Sequence, residues 1–422
     1  MKSQLFKQVR ILDPVSNSDR LADLLMVDGY IRAVEERIND YPHETEIKDC
    51  QGLILGPGLV DCASHSGEPG FEERETLESL MQAAAAGGFA RLAILPDTAP
   101  PIDNPAGLAG LKMLAASASS PSLYFWGALT KGIRGEQMTE LGELAASGVV
   151  GFADGRPLAN FALLRRLLEY VKPLNKPVAL LASDRLLAGN GVMREGYDSI
   201  RLGLPGIPAA AESGYLAALL ELVDAIGTPV RILGVSTARS VELIRDAKHR
   251  GLPVSASTSW MHLLLDTEAI EGRDGIPFDP NLRLEPPLGT KSDRLALVRG
   301  VKEGVLEAIA IDHTPFTYEE KTVAFADAPP GAIGLELALP LLWQGLVESG
   351  ELSGLELWRA LSSGPAGCLG LSLGAIAPNL PAEVILFDPQ QTWTVSKQTI
   401  KSLSANTPWW GREIKGRVVC IN

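Results

Sequence analysis

The sequence predicts an α/β protein: a (β/α)8 TIM-like barrel of the closed kind, flanked by a small β-sandwich formed by both termini. Three observations carry this. Eight short apolar runs alternate with amphipathic runs through the middle of the chain. Strand texture without helical periodicity returns at both ends. Neither a GxGxxG opening a helix nor a GxxxxGK[ST] loop is present, and an open nucleotide-binding sheet would usually carry such a fingerprint. Eight strand–helix units over about 250 residues or more suit a closed barrel. The expected division is 1–55 for the first part of the sandwich, 56–365 for the barrel and 366–422 for the second part.

In chain order, residues 8–12 (QVRIL), 23–27 (DLLMV) and 31–36 (IRAVEE) read as strands, and Asp28-Gly29 is a two-residue hairpin signal between the last two. From Leu53 the texture changes. Strands are expected at GLVD (58–61), RLAIL (91–95), SLYFWGA (122–128), GVVGFA (148–153), PVALLA (177–182), VRILGV (230–235), LPVSAS (252–257) and LEAIAID (306–312). Helical runs separate them, among them 75–88, 161–171, 213–227 and 240–251. The alanine run 83–86 belongs in a helix interior, since alanine has the highest helix propensity. The other biased segment, ASASSPS (116–122), is too short for a long linker, and no repeat of 20 to 50 residues is visible. Strand texture returns in 382–389, 392–396 and 414–421. The two ends are therefore expected to pair into one β-domain, with two independent β-modules as the alternative.

The 422 residues are 46% hydrophobic and 21% charged, which permits a sizeable core and excludes a disordered chain. A net charge of −13 argues against a general nucleic-acid surface, which needs clustered Lys and Arg. No stretch approaches the roughly 18 apolar residues of a membrane span, and the N-terminus lacks an apolar run with a small-residue cleavage site. A cytoplasmic location is expected. Cys50, Cys62, Cys368 and Cys420 lack CxxC spacing, so reduced and mostly buried thiols are expected.

Barrel chemistry sits where strands end. Asp61 and His65 follow the first barrel run, Asp97 the second, Asp154 the fourth, and Asp312 and His313 the eighth. Any one such carboxylate serves equally as a helix cap or turn former. His43 and His249 read as solvated, the latter suiting a helix C-terminus. His262 reads as packing and His313 as a residue orienting its loop. Cys62 has no neighbouring base and no nucleophile signature.

The segments PGLVDCASHSGEPG (57–70), LGLPGIPAAAE (202–212), VSTARSVELIRDAK (235–248), EPPLGTKSDRLAL (285–297), IDHTPFTYEEK (311–321) and SANTPWWG (404–411) resemble the dihydroorotase branch of the amidohydrolase superfamily, in order along nearly the whole chain. The resemblance implies a metal-dependent-hydrolase barrel beside a β-sandwich from both termini. It also implies interconversion of dihydroorotate and carbamoyl aspartate with one or two zinc ions.

The residues depart from that family's pattern. Its His-x-His pair falls on Ala63 and His65, its histidine after the fifth strand on Leu181, and that after the sixth on Gly234. What remains by resemblance is His65, Asp154 as a counterpart of the metal-bridging carboxylate, and Asp312 as a vestige of the catalytic aspartate. The family's substrate-binding arginine falls on Gly67 and its partner asparagine on Asp97, where an anionic substrate would be repelled. A further asparagine falls on Arg194, and Asn-Pro-Pro-Leu-Arg reads Glu285-Pro286-Pro287-Leu288-Gly289.

The resemblance thus implies an inactive, dihydroorotase-like protein of pyrimidine biosynthesis, with no cofactor expected and aspartate transcarbamoylase as its structural partner; a homo-oligomer is left open. Two alternatives stand beside it. One is a dihydroorotase or related cyclic amidohydrolase, acting on dihydropyrimidines, hydantoins or allantoin, with a single zinc on His65, Asp154 and Asp312. The other is a metal-free binder at the barrel mouth with Arg194 as an anchor.

Overall fold

The computed structural model describes residues 3–115, 121–273 and 275–421. Most of the biased segment at 116–122 and the Cys420 side chain lie outside the described residues.

Among the described residues seventeen strands form two large sheets and one short ribbon. The terminal sheet takes β1 (Ser3–Asp13), β2 (Ser18–Val27), β3 (Tyr30–Glu35), β4 (Glu46–Asp49) and β5 (Ile54–Pro57) from the start of the chain. The barrel follows with β6 (Leu59–Ser64), β7 (Phe89–Ile94), β8 (Ser122–Ala128), β9 (Gly151–Ala153) and β10 (Val178–Leu181). A two-stranded ribbon, β11 (Met193–Arg194) with β12 (Gly206–Ile207), interrupts it before β13 (Val230–Leu233), β14 (Val254–Ser259) and β15 (Ala308–Ala310) complete it. β16 (Val384–Thr394) and β17 (Glu413–Ile421) then rejoin the first sheet.

The β2–β3 turn is the one expected at Asp28-Gly29. Both residues have positive φ, 50° and 78°, which matches the strand twist as a type I′ turn does and suits Asp and Gly. The chain ends share one sheet, so the alternative of two separate β-modules falls. β16 runs antiparallel to β5, with Leu386 opposite Leu55, and β5 runs parallel to β1. Hydrogen bonds join all seven strands into one sheet, since a bulge between Phe6 and Val9 lets β4 and β5 share one edge of β1.

Side chains alternate across this sheet. Ile11, Leu55, Val384 and Leu386 form a cluster on one face, whereas Leu12, Ile54, Ile385 and Phe387 join the main core on the other. There Phe387 packs edge-on against Trp343 and Trp358, with ring centroids 5.6 and 6.4 Å away. Trp358 Nε1 also donates to the carbonyl of Pro57, the last residue of β5, at 3.0 Å.

The barrel strands are parallel and ordered β6-β7-β8-β9-β10-β13-β14-β15. The circle closes between β15 and β6 through Ile311 N donating to Asp61 Oδ1 at 2.8 Å and His65 N donating to His313 O at 2.9 Å. Asp61, fully buried, also accepts from Ser64 Oγ at 2.5 Å; it closes the barrel and takes no part in the mouth.

The helices follow their sequence signals. Phe161–Val171 is capped by Asn160, whose side chain accepts from Leu163 N, and buries Leu163, Leu164, Leu167, Leu168 and Val171 along one stripe. The alanine run closes Leu77–Ala86, where Ala83 and Ala84 are fully buried. Among the described residues no helix is long and apolar enough to cross a membrane.

Candidate functional site

A cavity of about 680 Å³ opens at the C-terminal ends of the barrel strands. Its floor is built from the residues that follow them. His65 extends from β6 and lies between two carboxylates: Nδ1 is 2.6 Å from Asp97 Oδ2 and Nε2 is 3.4 Å from Asp312 Oδ1. Asp97 comes from the turn after β7. Asp312 follows β15 with φ of +52°, a left-handed conformation that Asp tolerates better than most residues.

Electrostatics bind this trio as a charged unit. Burial works against the His65 imidazolium, yet the attraction of Asp97 and Asp312 and their hydrogen bonds outweigh it and lift its pKa well above the usual range. Burial pushes Asp97 upward in turn, but His65, helped by Arg156, pulls it below the ordinary carboxylate value. The repulsion expected of Asp97 toward an anion is therefore offset by its own imidazolium. Asp97 Oδ1 is buried without a hydrogen-bond partner among the described residues.

Ala63, Leu181 and Gly234 line the same cavity as His65. The four positions singled out by the histidine motif thus converge in space, with a methyl, an isobutyl group and no side chain at three of them. Gly234 adopts φ of +61°, and a Cβ there would lie 3.1 Å from Leu181 Cδ1 and Pro286 Cδ.

Asp154 is turned to Thr130 and away from the cavity. Its Oδ1 accepts from Thr130 N at 3.0 Å and its Oδ2 from Thr130 Oγ1 at 2.5 Å; it does not line the cavity, and burial raises its pKa despite those bonds. His65 and Asp312 meet, but Asp154 is drawn away to hold the turn after β8. Among the described residues no group of three or more His, Cys, Asp or Glu side chains is placed to hold a metal ion. A tetrahedral zinc site asks for three or more protein ligands, and the donor set present does not fit one.

Arg194 lies outside this cavity, in a smaller adjoining chamber. Gly67 has no room for a side chain, since a Cβ would stand 2.4 Å from Glu75 O. The cations that do line the cavity are Arg74, Arg156 and Arg185. Arg74 lies over the rings of Phe71 and Phe316 and pairs with Glu320 at 2.5 Å. Arg156 stands two places past the strand-end Asp154, and no signal in the sequence singled out Arg185.

His262 and His313 are structural. His262 Nε2 faces the carbonyls of Pro286 and Pro287 at 3.1 and 3.2 Å, and burial lowers its pKa. His313 accepts from Gly334 N through Nδ1 and faces Glu75 at 3.4 Å, so it orients its loop as expected. Glu75 also accepts from Ser402 Oγ and Leu403 N, and Asn406 bonds Phe316 N and the Thr314 carbonyl. Asn406 of the SANTPWWG segment thereby pins the loop after β15, and Ser402 and Leu403 just before it hold Glu75. His43 and His249 are exposed, and Cys50, Cys62 and Cys368 are buried and form no disulfide among the described residues.

A barrel with a companion sheet from both termini and a cavity at its strand ends is the architecture of the amidohydrolase superfamily. The family model described as dihydro-orotase-like matches residues 52–240. A Synechocystis sp. protein named "Probable dihydroorotase-like protein" is 46% identical, with 99% of each chain covered. A dihydroorotase of Pelobacter propionicus is 39% identical over 98% of this chain and 96% of its own. In fold, the L-hydantoinase (dihydropyrimidinase) of Arthrobacter aurescens matches with a TM-score of 0.87 at 21% identity, covering 100% of this chain and 95% of that one. The chain belongs to the dihydroorotase family.

Proposed function

We propose that this protein is a catalytically silent member of the dihydroorotase family, whose barrel serves as a structural partner of aspartate transcarbamoylase in pyrimidine biosynthesis. The observation that carries the loss of chemistry is the cavity wall itself: Ala63, Leu181 and Gly234 surround His65 where nitrogen donors would be needed. The one imidazole left is committed to Asp97 and Asp312. The partner is the one that the resemblance supplies.

The test has two arms. After zinc loading, metal analysis of the purified protein should give far less than one ion per chain, and neither dihydroorotate hydrolysis nor carbamoyl-aspartate cyclisation should exceed a chelator-treated control. One tightly held ion coupled to turnover would refute the silent reading. Replacing Ala63, Leu181 and Gly234 together with histidine should raise zinc affinity. Because Gly234 sits at positive φ, circular dichroism must first show that this variant folds. Co-purification with the transcarbamoylase from a strain expressing both proteins checks the partnership, and clean separation at micromolar concentrations would remove it.

A further inference from the structure

The segment between β10 and the helix Ala210–Ile226 folds outward and returns through the β11–β12 ribbon, where Arg194 is opposite Ile207. It walls a chamber of about 270 Å³ beside the main cavity, and the two share Leu181, Arg185, Glu285 and Pro286. Three guanidinium groups line the chamber: Arg185, Arg194 and Arg283.

Their hydrogen bonding is incomplete. The Arg194 side chain is only 2% exposed, and while Nη2 donates to Ser236 Oγ at 2.6 Å, Nε is buried without a hydrogen-bond partner among the described residues. Arg283 Nε is likewise buried and has no hydrogen-bond partner among the described residues; its Nη1 and Nη2 reach the carbonyls of Leu284 and Gly191 only at 3.3 and 3.4 Å, beyond the usual range for N–H···O bonds. Arg185 is exposed and makes no side-chain hydrogen bond or ion pair among the described residues.

The carboxylates nearby leave this charge poorly matched. Glu212 is 3.9 Å from Arg194, but its oxygens accept from the backbone N–H groups of Ser236 and Thr237 and from both hydroxyls, at the start of the helix Ala238–His249. Glu285 is exposed at the rim shared with the main cavity. A buried guanidinium with an unused Nε–H carries a desolvation cost that an ordered partner would relieve. The Nε–Nη edge is one that a planar or tetrahedral oxyanion grips with two parallel bonds.

We propose that this side chamber is an oxyanion-binding site, in which Arg194 and Arg283 hold the phosphate or carboxylate group of a small metabolite and Arg185 closes over it from the shared rim. The volume holds the anion with a short stem, and the common wall at Leu181 and Pro286 lets the rest of the ligand extend into the main cavity. The site stands independently of whether the barrel mouth retains hydrolase chemistry.

Isothermal titration of the full-length, chelator-treated protein with inorganic phosphate and, separately, with malonate tests this. Saturable binding of one anion per chain is expected for at least one probe, and the tighter of the two identifies the headgroup as phosphate or carboxylate. Arg194→Gln and Arg283→Gln should each weaken it by about ten-fold or more, and Arg156→Gln, altering the main cavity alone, should leave it unchanged. If circular dichroism shows Arg194→Gln to be misfolded, the less deeply buried Arg283→Gln decides. Absence of binding for both anions at millimolar concentration would overturn the proposal, as would binding that survives Arg283→Gln or disappears with Arg156→Gln.

Discussion

His65 shows how one side chain can change office without changing place. Held between Asp97 and Asp312, it acts as the positive centre of a small charged unit. His65→Gln keeps a polar side chain but leaves two neighbouring carboxylates without a cation. All three groups retain some solvent contact, with side-chain exposures of 20 to 36%, so a loss of about 1–2 kcal/mol at neutral pH is expected in urea unfolding, below the cost for a fully buried pair. The pH dependence has a definite sign. The imidazole pKa is raised by folding, so its contribution is complete below its ordinary value of 6.5 and fades as pH rises through the folded value; that of Asp97, lowered by folding, is present above 3.8 and is lost in acid. The stability gap between wild type and His65→Gln should therefore be widest between those limits and narrow at alkaline pH.

The segments around the mouth are held by buried polar groups whose titration should be measurable. Burial pushes the Glu336 carboxyl up to about 7, although it accepts from Lys401 N and Ser402 N at 2.8 and 3.1 Å. Its raised value means that stability is full below 4.5 and declines as pH passes through 7. Glu336→Gln, which keeps the accepting oxygen, should flatten the melting temperature between pH 5 and 8, checked by thermal denaturation over about that range. A second test concerns the contact between the terminal sheet and the barrel. Trp358→Ala empties space beside Phe387 and leaves the Pro57 carbonyl without its donor, for an expected loss of about 3–5 kcal/mol in denaturant unfolding. Trp358→Phe should cost clearly less.

Much of this architecture was written in period and punctuation. The eight barrel runs, the Asp28-Gly29 turn and the pairing of the chain ends depend on alternation and turn chemistry, which are local. The mouth was legible only by strand ends: this located His65, Asp97 and Asp312, but it could not say where a side chain points. Asp154 therefore read as a ligand although Thr130 takes both of its oxygens, and Arg194 read as an anchor of the main cavity although the ribbon carries it into the side chamber. The tether from Ser402 and Asn406 to Glu75 and Phe316 spans far too much sequence for any local pattern to reveal. Ending the chain after Pro381 would remove β16, β17 and this tether together, and a soluble product with a cooperative melt is not expected; circular dichroism and solubility after expression check this. The β5–β16 pairing has a further consequence in time. Residues 54–57 are made early, yet the strand that covers their edge begins at Val384. A ribosome making this protein must carry a bare sheet edge from the time Ile54–Pro57 emerge until Val384–Phe387 follow, so guarding that edge against wrong partners falls to the cell until the covering strand is made and the gap can close.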